Sequence, residues 1–370
     1  MMVAAPFADR FARTRAAMVE GAVDTLLLSV GPDLPYLTGY EAMPLERLTM
    51  LVLPAEGQAT LVVPRLEAPR VMERPEFTLR PWGETEDPIA IVQGLMGTGG
   101  RLAIGDRTWA RFVLDLQGSR PGTTWRKASE VLGPLRARKD AAEVEALRAA
   151  GAAADRVAFA LQTGEIELAG RTEAQVSAEL GRRLRAEGHH RVNFAIVAAG
   201  ANAASPHHEP GEVVIKPGEV VLCDFGGSMF DDHGVGYCSD ITRCVHLGEP
   251  SEEMAEAYAV LIEAQQAAVA AAVVGTSCAE VDATARRIIT AAGWGEEFMH
   301  RTGHGIGIEE HEDPYIVSGN ETPLEPGHAF SIEPGIYVEG RFGFRLEDIV
   351  VAAVSGPDVL NHADHDLALV

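Results

Sequence analysis

Four carboxylates stand inside the most apolar, strand-like stretches of the second half of this chain. A fold that buries those stretches must give the acids something to hold. In EVVLCDFGG, Asp224 interrupts a run that otherwise asks for burial. In GYCSDITRCVHL, strand alternation sets Cys238, Asp240, Thr242 and Cys244 on one face, so Asp240 sits among small neighbours suited to an interior. Glu333 in AFSIEPGIYV stands between Ile332 and a Pro-Gly bend, and alternation in FRLEDIVVAAV groups Arg345, Glu347, Ile349 and Val351. Burying an unpaired carboxylate costs several kcal/mol. A single such residue is ordinarily hydrogen-bonded or ion-paired, but four together ask for a common explanation.

Pairing all four with basic side chains is difficult. Beyond residue 190 the basic residues are Arg191, Lys216, Arg243, Arg286, Arg287, Arg301, Arg341 and Arg345, whereas a divalent cation takes several carboxylates at once. A nitrogen ligand is at hand in MHRTGHGIGIEEHEDPY, where His300, His304 and His311 cluster among Gly303, Gly305 and Gly307, which permit a tight backbone course. The spacing is not HExxH, which excludes a helical zincin. A carboxylate-rich set with one histidine is too hard for a structural zinc site and suits a pair of Mn²⁺, Co²⁺ or Zn²⁺ ions. Such ions, about 3.5–4 Å apart, activate a shared water, which is hydrolase chemistry. No GxSxG elbow offers a serine nucleophile in their place.

A chain of 370 residues exceeds what one core usually organises. The expected division is a small α/β domain over residues 1–133, with strand-like TLLLSV, LTMLVLP and TLVVP, and a larger domain over 134–370 that holds every candidate site residue. The net charge of −23 repels phosphate backbones and anionic membranes, so neither nucleic acid nor membrane is an expected partner. The MMVAAPFADRFARTR start has no long apolar segment, and the expected location is the cytoplasm. Cys223, Cys238, Cys244 and Cys278 show no CxxC spacing and read as reduced core residues.

The larger domain repeats an order of elements. An alanine-rich helix at DAAEVEALRAAGAAADRVAFALQ and a second at TEAQVSAELGRRLRAEG, with Thr172 and Gln175 at capping-box spacing, precede the strands FAIVAAG and EVVLCDFGG. A long helix at PSEEMAEAYAVLIEAQQAAVAAAVV and a shorter one after Ser277, with Glu280 three residues on, precede HAFSIEPGIYV and FRLEDIVVAAV. Two helix pairs, each followed by strands, give an α+β domain of pseudo-twofold design in which helices cover one face of a largely antiparallel sheet.

With Asp224, Asp240, His304, Glu333 and Glu347 in this order, set in SDITR, GHGIG, EPGIY and RLEDI, the chain resembles the prolidase and aminopeptidase P branch of the pita-bread metallopeptidases. The likeness runs over roughly 134–370, and DLPYLTGY with the strands after it looks like the smaller N-terminal domain of that branch. The resemblance implies that Asp224 chelates one metal, that His304 and Glu333 hold the other, and that Asp240 and Glu347 bridge both. It sets His207 of ASPHH, rather than His208, and His311 near substrate, with His300 beside the metals. Arg345 is expected to support a carboxylate or touch substrate, and Tyr237 to lie near Asp240. His233 and His328 are expected to be a loop and a strand-edge residue.

Hydrolysis of the bond before a proline at the second position follows from the resemblance, with Glu333 as proton shuttle, Mn²⁺ as the favoured ion, and a homodimer. Xaa-Pro dipeptidase is preferred over an aminopeptidase P acting on longer peptides. A creatinase-like hydrolase and a metal-free binding module are disfavoured because all five ligands are present. One departure stands out: sixteen positions separate Asp224 from Asp240, longer than the family's usual spacing, with SMFDDHG expected to enlarge the hairpin and alter access to the site.

Overall fold

The computed structural model describes residues 6–370, and their contacts form two compact units. One takes the chain up to Arg136 together with Asp231–Gly236. The other takes Ala137–Phe230 and Tyr237–Val370. In the first, β1 (Thr25–Leu28), β2 (Met50–Pro54), β3 (Ala59–Pro64), β4 (Phe77–Trp82), β5 (Arg101–Ile104) and β6 (Thr124–Lys127) make one mixed sheet in the order β4-β3-β2-β1-β5-β6. The runs TLLLSV, LTMLVLP and TLVVP supply β1, β2 and β3. Every residue of β1 is buried, which is why it reads as an unbroken apolar run and not as an alternation. Around this sheet lie α1 (Phe7–Glu20), α2 (Asp33–Thr38), α3 (Pro88–Leu95), α4 (Ala110–Ser119) and α5 (Ser129–Ala137). Val92 of α3 and Phe112 and Leu116 of α4 join Leu27, Met50, Val52, Val62 and Leu102 in the core.

In the second unit, α6 (Ala141–Gln162) and α7 (Glu173–Ala186) precede β7 (Arg191–Ala199), β8 (Val220–Phe230) and β9 (Gly236–His246). Then α8 (Glu252–Ala271) and α9 (Cys278–Ala291) precede β10 (Gly303–Gly305), β11 (Glu312–Ile316), β12 (Ala329–Ile332), β13 (Gly335–Val338), β14 (Phe342–Arg345), β15 (Asp348–Ala353), β16 (Gly356–Val359) and β17 (Ala368–Leu369). One sheet runs β17-β9-β8-β7, another β11-β10-β12-β15-β16, and β13-β14 stand as a pair. β7 pairs antiparallel with β8, β10 with β11 and β12, β12 with β15, β13 with β14 and β15 with β16, while β17 runs parallel to β9.

Each helix pair covers its own strands. Val157 and Leu161 of α6 and Val176, Leu180 and Leu184 of α7 pack on Val197, Val221, Cys223, Phe225, Ile241 and Val245. Leu261 of α8 and Val281, Ala285 and Ile289 of α9 pack with Phe330, Ile332, Ile336, Phe344 and Val350. The pattern behind this is the strand period of two: odd residues of β8 and β9 face α6 and α7, which sends Asp224 and Asp240 to the opposite face.

The caps follow the local sequence. Thr172 and Gln175 close a reciprocal capping box on α7, as Asp140 and Glu143 do on α6. At α9 only half forms: Ser277 Oγ accepts from Glu280 N at 3.2 Å, while the Glu280 carboxylate turns to Arg287 at 3.0 Å.

Two strand expectations need correction. FRLEDIVVAAV is not one strand but β14 and β15, in different sheets, with Leu346 and Glu347 between them. Opposite that break lies Pro334, which has no N–H to donate, so the ladder opens between β12 and β13. The residues between Asp224 and Asp240 lengthen β8 and β9 more than they enlarge a loop; the turn is confined to 231–235, where Asp231 Oδ1 accepts from His233 N and Val235 N, both at 2.8 Å. The four cysteines are buried and free of disulfides. Among the described residues no helix is long and apolar enough to cross a membrane.

Replacing Thr172 with Ala removes one half of the α7 box and leaves the Gln175 N–H without its cap. The expected loss is about 1 kcal/mol of stability, read as a lowered unfolding midpoint against the parent protein.

Candidate active site

The face that β8 and β9 turn away from α6 and α7 borders a cavity of about 520 Å³, lined entirely by residues of the second unit. Asp224 reaches it from β8 and Asp240 from β9. In the register of β7 with β8, Ile196 lies opposite Asp224, so Phe194 and Ile196 share its face and give the cavity an apolar wall with Pro206. Glu333 and Glu347 enter at the two sides of the break that Pro334 makes, where the ladder no longer claims their backbone groups. Instead Glu333 N donates to Thr302 O at 2.7 Å and Glu347 N to Thr242 O at 3.3 Å. His304 comes from β10, whose flanking glycines are obligatory: a Cβ at Gly303 would stand 1.8 Å from Ser331 O, and one at Gly305 2.3 Å from Asp313 O.

The cavity also receives His207, His300, His311 and Arg345. Tyr237 is not among its lining residues. It lies an odd number of positions from Asp240 along β9, is buried, and donates its hydroxyl to Glu143 Oε1 of α6 at 3.1 Å. The adjacent histidines also separate: His207 lines the cavity while His208 Nε2 lies 2.8 Å from Glu173 Oε2.

Arg345 organises one side. Its Nη2 donates to Asp224 Oδ2 at 2.6 Å, its Nε to Thr242 Oγ1 at 3.1 Å, and its Nη1 to Tyr337 Oη at 2.8 Å and Pro206 O at 3.2 Å. Thr242 passes the order on, its hydroxyl donating to Glu347 Oε2 at 2.7 Å. Tyr337 links Arg345 to His300, whose Nε2 lies 2.8 Å from the phenol. His300 Nδ1 lies 2.7 Å from Arg301 O, and a carbonyl only accepts, so Nδ1 carries the proton and Nε2 accepts from Tyr337. Burial lowers the pKa of His300, consistent with a neutral ring. Sequence reasoning found Arg345 but missed Thr242 and Tyr337 as partners. EPGIY carried the signal for the second, a buried tyrosine that must find a bond for its hydroxyl.

On the other side, His304 Nδ1 lies 3.1 Å from Gly305 O, which assigns the proton to Nδ1 and leaves Nε2 facing Glu333 Oε1 at 3.2 Å and Asp240 Oδ2 at 3.8 Å. A metal-ligating histidine is typically fixed in this way, by donation from its other nitrogen to a carbonyl. Ser331 Oγ donates to Glu333 Oε1 at 3.1 Å. The His311 ring packs 3.8 Å from that of His304, and Arg301 Nη2 donates to His311 Nδ1 at 3.3 Å. Burial, with His304 and Arg301 nearby, brings the His311 pKa down to about 4.

The charges do not balance within the protein. Asp224 Oδ1, Asp240 Oδ1 and Glu347 Oε1 are buried with no hydrogen-bond partner. Burial pushes Asp240 and Glu347 well above the ordinary carboxylate range, and the neighbouring acids push them further. Asp224 is raised by burial too, partly offset by Arg345. For Glu333 burial is outweighed by His304, His300 and Arg345, which hold it down to about 2. Donor atoms of Asp240, His304 and Glu347 lie within 4.8 Å of one another. Orphaned carboxylate oxygens converging on an imidazole nitrogen fit hard divalent cations.

Residues 145–353 match Metallopeptidase family M24, and residues 10–138 match the Creatinase/Prolidase N-terminal domain. Across 98% of its length the chain is 42% identical to a probable dipeptidase PepE of Mycobacterium tuberculosis, 96% of which is covered. It is 37% identical to an Xaa-Pro dipeptidase of Lactobacillus helveticus, over 94% of this chain and 95% of that one. The solved structure of a recombinant prolidase from Thermococcus sibiricus matches with a TM-score of 0.93 at 36% identity, over 100% of both chains. The chain belongs to metallopeptidase family M24, in its prolidase and aminopeptidase P branch. Its fold is the pita-bread fold, and its family implies divalent metal ions.

Carboxylates whose folded pKa is raised bind more protons folded than unfolded, so the metal-free protein loses stability as pH climbs above the ordinary carboxylate range toward the raised values of Asp240 and Glu347. A divalent ion should reverse that trend and bind more tightly as pH rises. Thermal unfolding from pH 5 to 8, with chelator and with Mn²⁺, should show the Mn²⁺ increment growing with pH. An increment that shrinks would contradict the charge assignment.

Proposed function

We propose that this metallopeptidase is an Xaa-Pro dipeptidase that releases the N-terminal residue and proline, using two divalent cations held by Asp224, Asp240, His304, Glu333 and Glu347. The observation that carries this reading is the convergence of these five side chains on one cavity with three carboxylate oxygens unpartnered. Asp224 would serve one ion, His304 and Glu333 the other, and Asp240 and Glu347 both. Hard oxygen ligands favour Mn²⁺, with Co²⁺ or Zn²⁺ as substitutes. When bound, the ions supply an activated water and polarise the scissile carbonyl.

The chain's own residues do the rest. Glu333, whose Oε1 faces His304 and accepts from Ser331 at the cavity, takes a proton from the attacking water and returns it to the proline nitrogen as the bond breaks. His207 and His311 border the space for substrate and donate to its carbonyl, with His300 held behind them by Tyr337. Phe194, Ile196 and Pro206 offer an apolar wall to a side chain with no hydrogen-bonding demand.

The preference for dipeptides rests on Arg301. Two arginines line the cavity, and Arg345 is committed to Asp224, Thr242, Tyr337 and Pro206. Among the described residues the Arg301 guanidinium bonds to His311 and lies over the Tyr315 ring at 4.6 Å, which leaves further donors for a dipeptide's terminal carboxylate. We place the enzyme in the cytoplasm, where its four buried cysteines stay reduced, and as a homodimer, as the resemblance implies.

The test is hydrolysis of Xaa-Pro dipeptides against Xaa-Pro-Xaa tripeptides with Mn²⁺. Dipeptides should be cleaved with the higher kcat/KM, and a clear preference for tripeptides would turn the reading to aminopeptidase P. Arg301→Met should raise KM for dipeptides roughly tenfold to a hundredfold, as loss of a charge-assisted bond does, and raise KM for tripeptides by clearly less. Glu333→Gln should lower kcat by roughly 10²–10⁴-fold. Wild-type turnover at full metal load in that variant would remove Glu333 from the proton transfer.

A further inference from the structure

Glu173 is the first residue of α7, directly after the Thr172 cap, where an acid ordinarily points to solvent near the helix N-terminus. Here its side chain is fully buried, at 0% exposure. Its Oε1 accepts from Ala199 N and Asn202 Nδ2, both at 2.9 Å, and its Oε2 accepts from His208 Nε2 at 2.8 Å and Gly211 N at 3.3 Å. No lysine or arginine among the described residues pairs with it. The backbone ties continue the same join, Glu173 N donating to Val213 O and Ala174 N to Gly211 O, each at 3.0 Å.

These partners run from the end of β7 through residue 211, which is the connection that carries His207 to the cavity. Within that connection Ser205 N donates to Asn202 O at 3.0 Å and His208 N to Ser205 O at 3.1 Å, a compact turn with His207 next to its end. The turn is fixed at two points on either side of His207. Pro206 O accepts from Arg345, and the His208 ring is held by Glu173. His207 itself is exposed on the cavity wall.

We propose that Glu173 is a positioning residue of this peptidase: by gathering the donors of residues 199–211 it sets His207 at the substrate cavity. The proposal rests on the reading of His207 as a substrate-side residue. It also explains why a buried acid, with the desolvation it entails, stands at a place where a neutral residue would fill the core at lower cost. The amide of glutamine cannot replace it. Each carboxylate oxygen takes two N–H donors, so whichever oxygen becomes an NH₂ group faces donors with a donor, and half of the clamp opens.

A double-mutant cycle tests this with the full-length, Mn²⁺-loaded enzyme, on whichever peptide the wild-type chain cleaves, so that the substrate reading and the positioning reading fail separately. Glu173→Gln and His207→Ala should each lower kcat/KM roughly tenfold to a hundredfold, the scale of a misplaced site group, with metal content unchanged. The double variant should be no slower than His207→Ala alone, because both changes remove the same interaction. Losses that multiply would overturn the proposal, since Glu173 would then act other than through His207. So would wild-type kcat/KM in Glu173→Gln, or a slow Glu173→Gln beside a fully active His207→Ala. If Glu173→Gln does not fold, His208→Ala, which removes one contact of the four, takes its place in the same cycle under the same criteria.

Discussion

Mutual repulsion among buried carboxylates governs this structure. Asp224, Asp240, Glu333 and Glu347 are all drawn out of water onto one cavity, and their neighbours include one committed arginine and one facing imidazole. Burial disfavours the ionised form of each, and for Asp224, Asp240 and Glu347 the neighbouring acids disfavour it further, so the metal-free arrangement is held by the surrounding fold against its own electrostatics. Folds keep such arrangements where function resides, and the rest of the second unit can be read as what makes this one tenable.

That support has two layers. The strand period sends odd residues of β8 and β9 into the α6 and α7 core, and so forces Asp224 and Asp240 to the other side without any local strain. Around them a polar shell fixes orientation: Arg345 holds Asp224, Thr242 joins Arg345 to Glu347, Tyr337 joins Arg345 to His300, and Ser331 steadies Glu333. Every bond in that shell leaves one oxygen of Asp224 and Glu347 unspent, and Asp240 keeps an unpartnered oxygen of its own. A shell that orients ligands while leaving their lone pairs facing the cavity is what a cation site requires.

Much of this was legible in the sequence for a physical reason. An acid inside an apolar run is a local contradiction, and Asp224 and Asp240 could be assigned a face by counting in twos. The same count grouped Arg345 with Glu347, and both line the cavity, but it could not show that FRLEDIVVAAV is broken in two, because Pro334 interrupts the ladder from the partner strand. The resemblance drew Tyr237 to the site beside Asp240, yet its hydroxyl goes to Glu143. The tyrosine that joins the network, Tyr337, sits on β13 beyond the Pro-Gly bend. Glu173 was invisible for a related reason, since a first-turn acid looks the same in a sequence whether it faces water or a loop. Long-range partners decide such cases, and residue spacing does not carry them.

The central claim is that bound cations, and not protonation alone, neutralise the four acids. Elemental analysis of protein stripped with chelator, then reconstituted with Mn²⁺ and freed of excess, tests it most directly. The account predicts two divalent ions per chain, falling in Asp240→Asn, which removes a charge shared by both. Protein that retains no metal after reconstitution would contradict it.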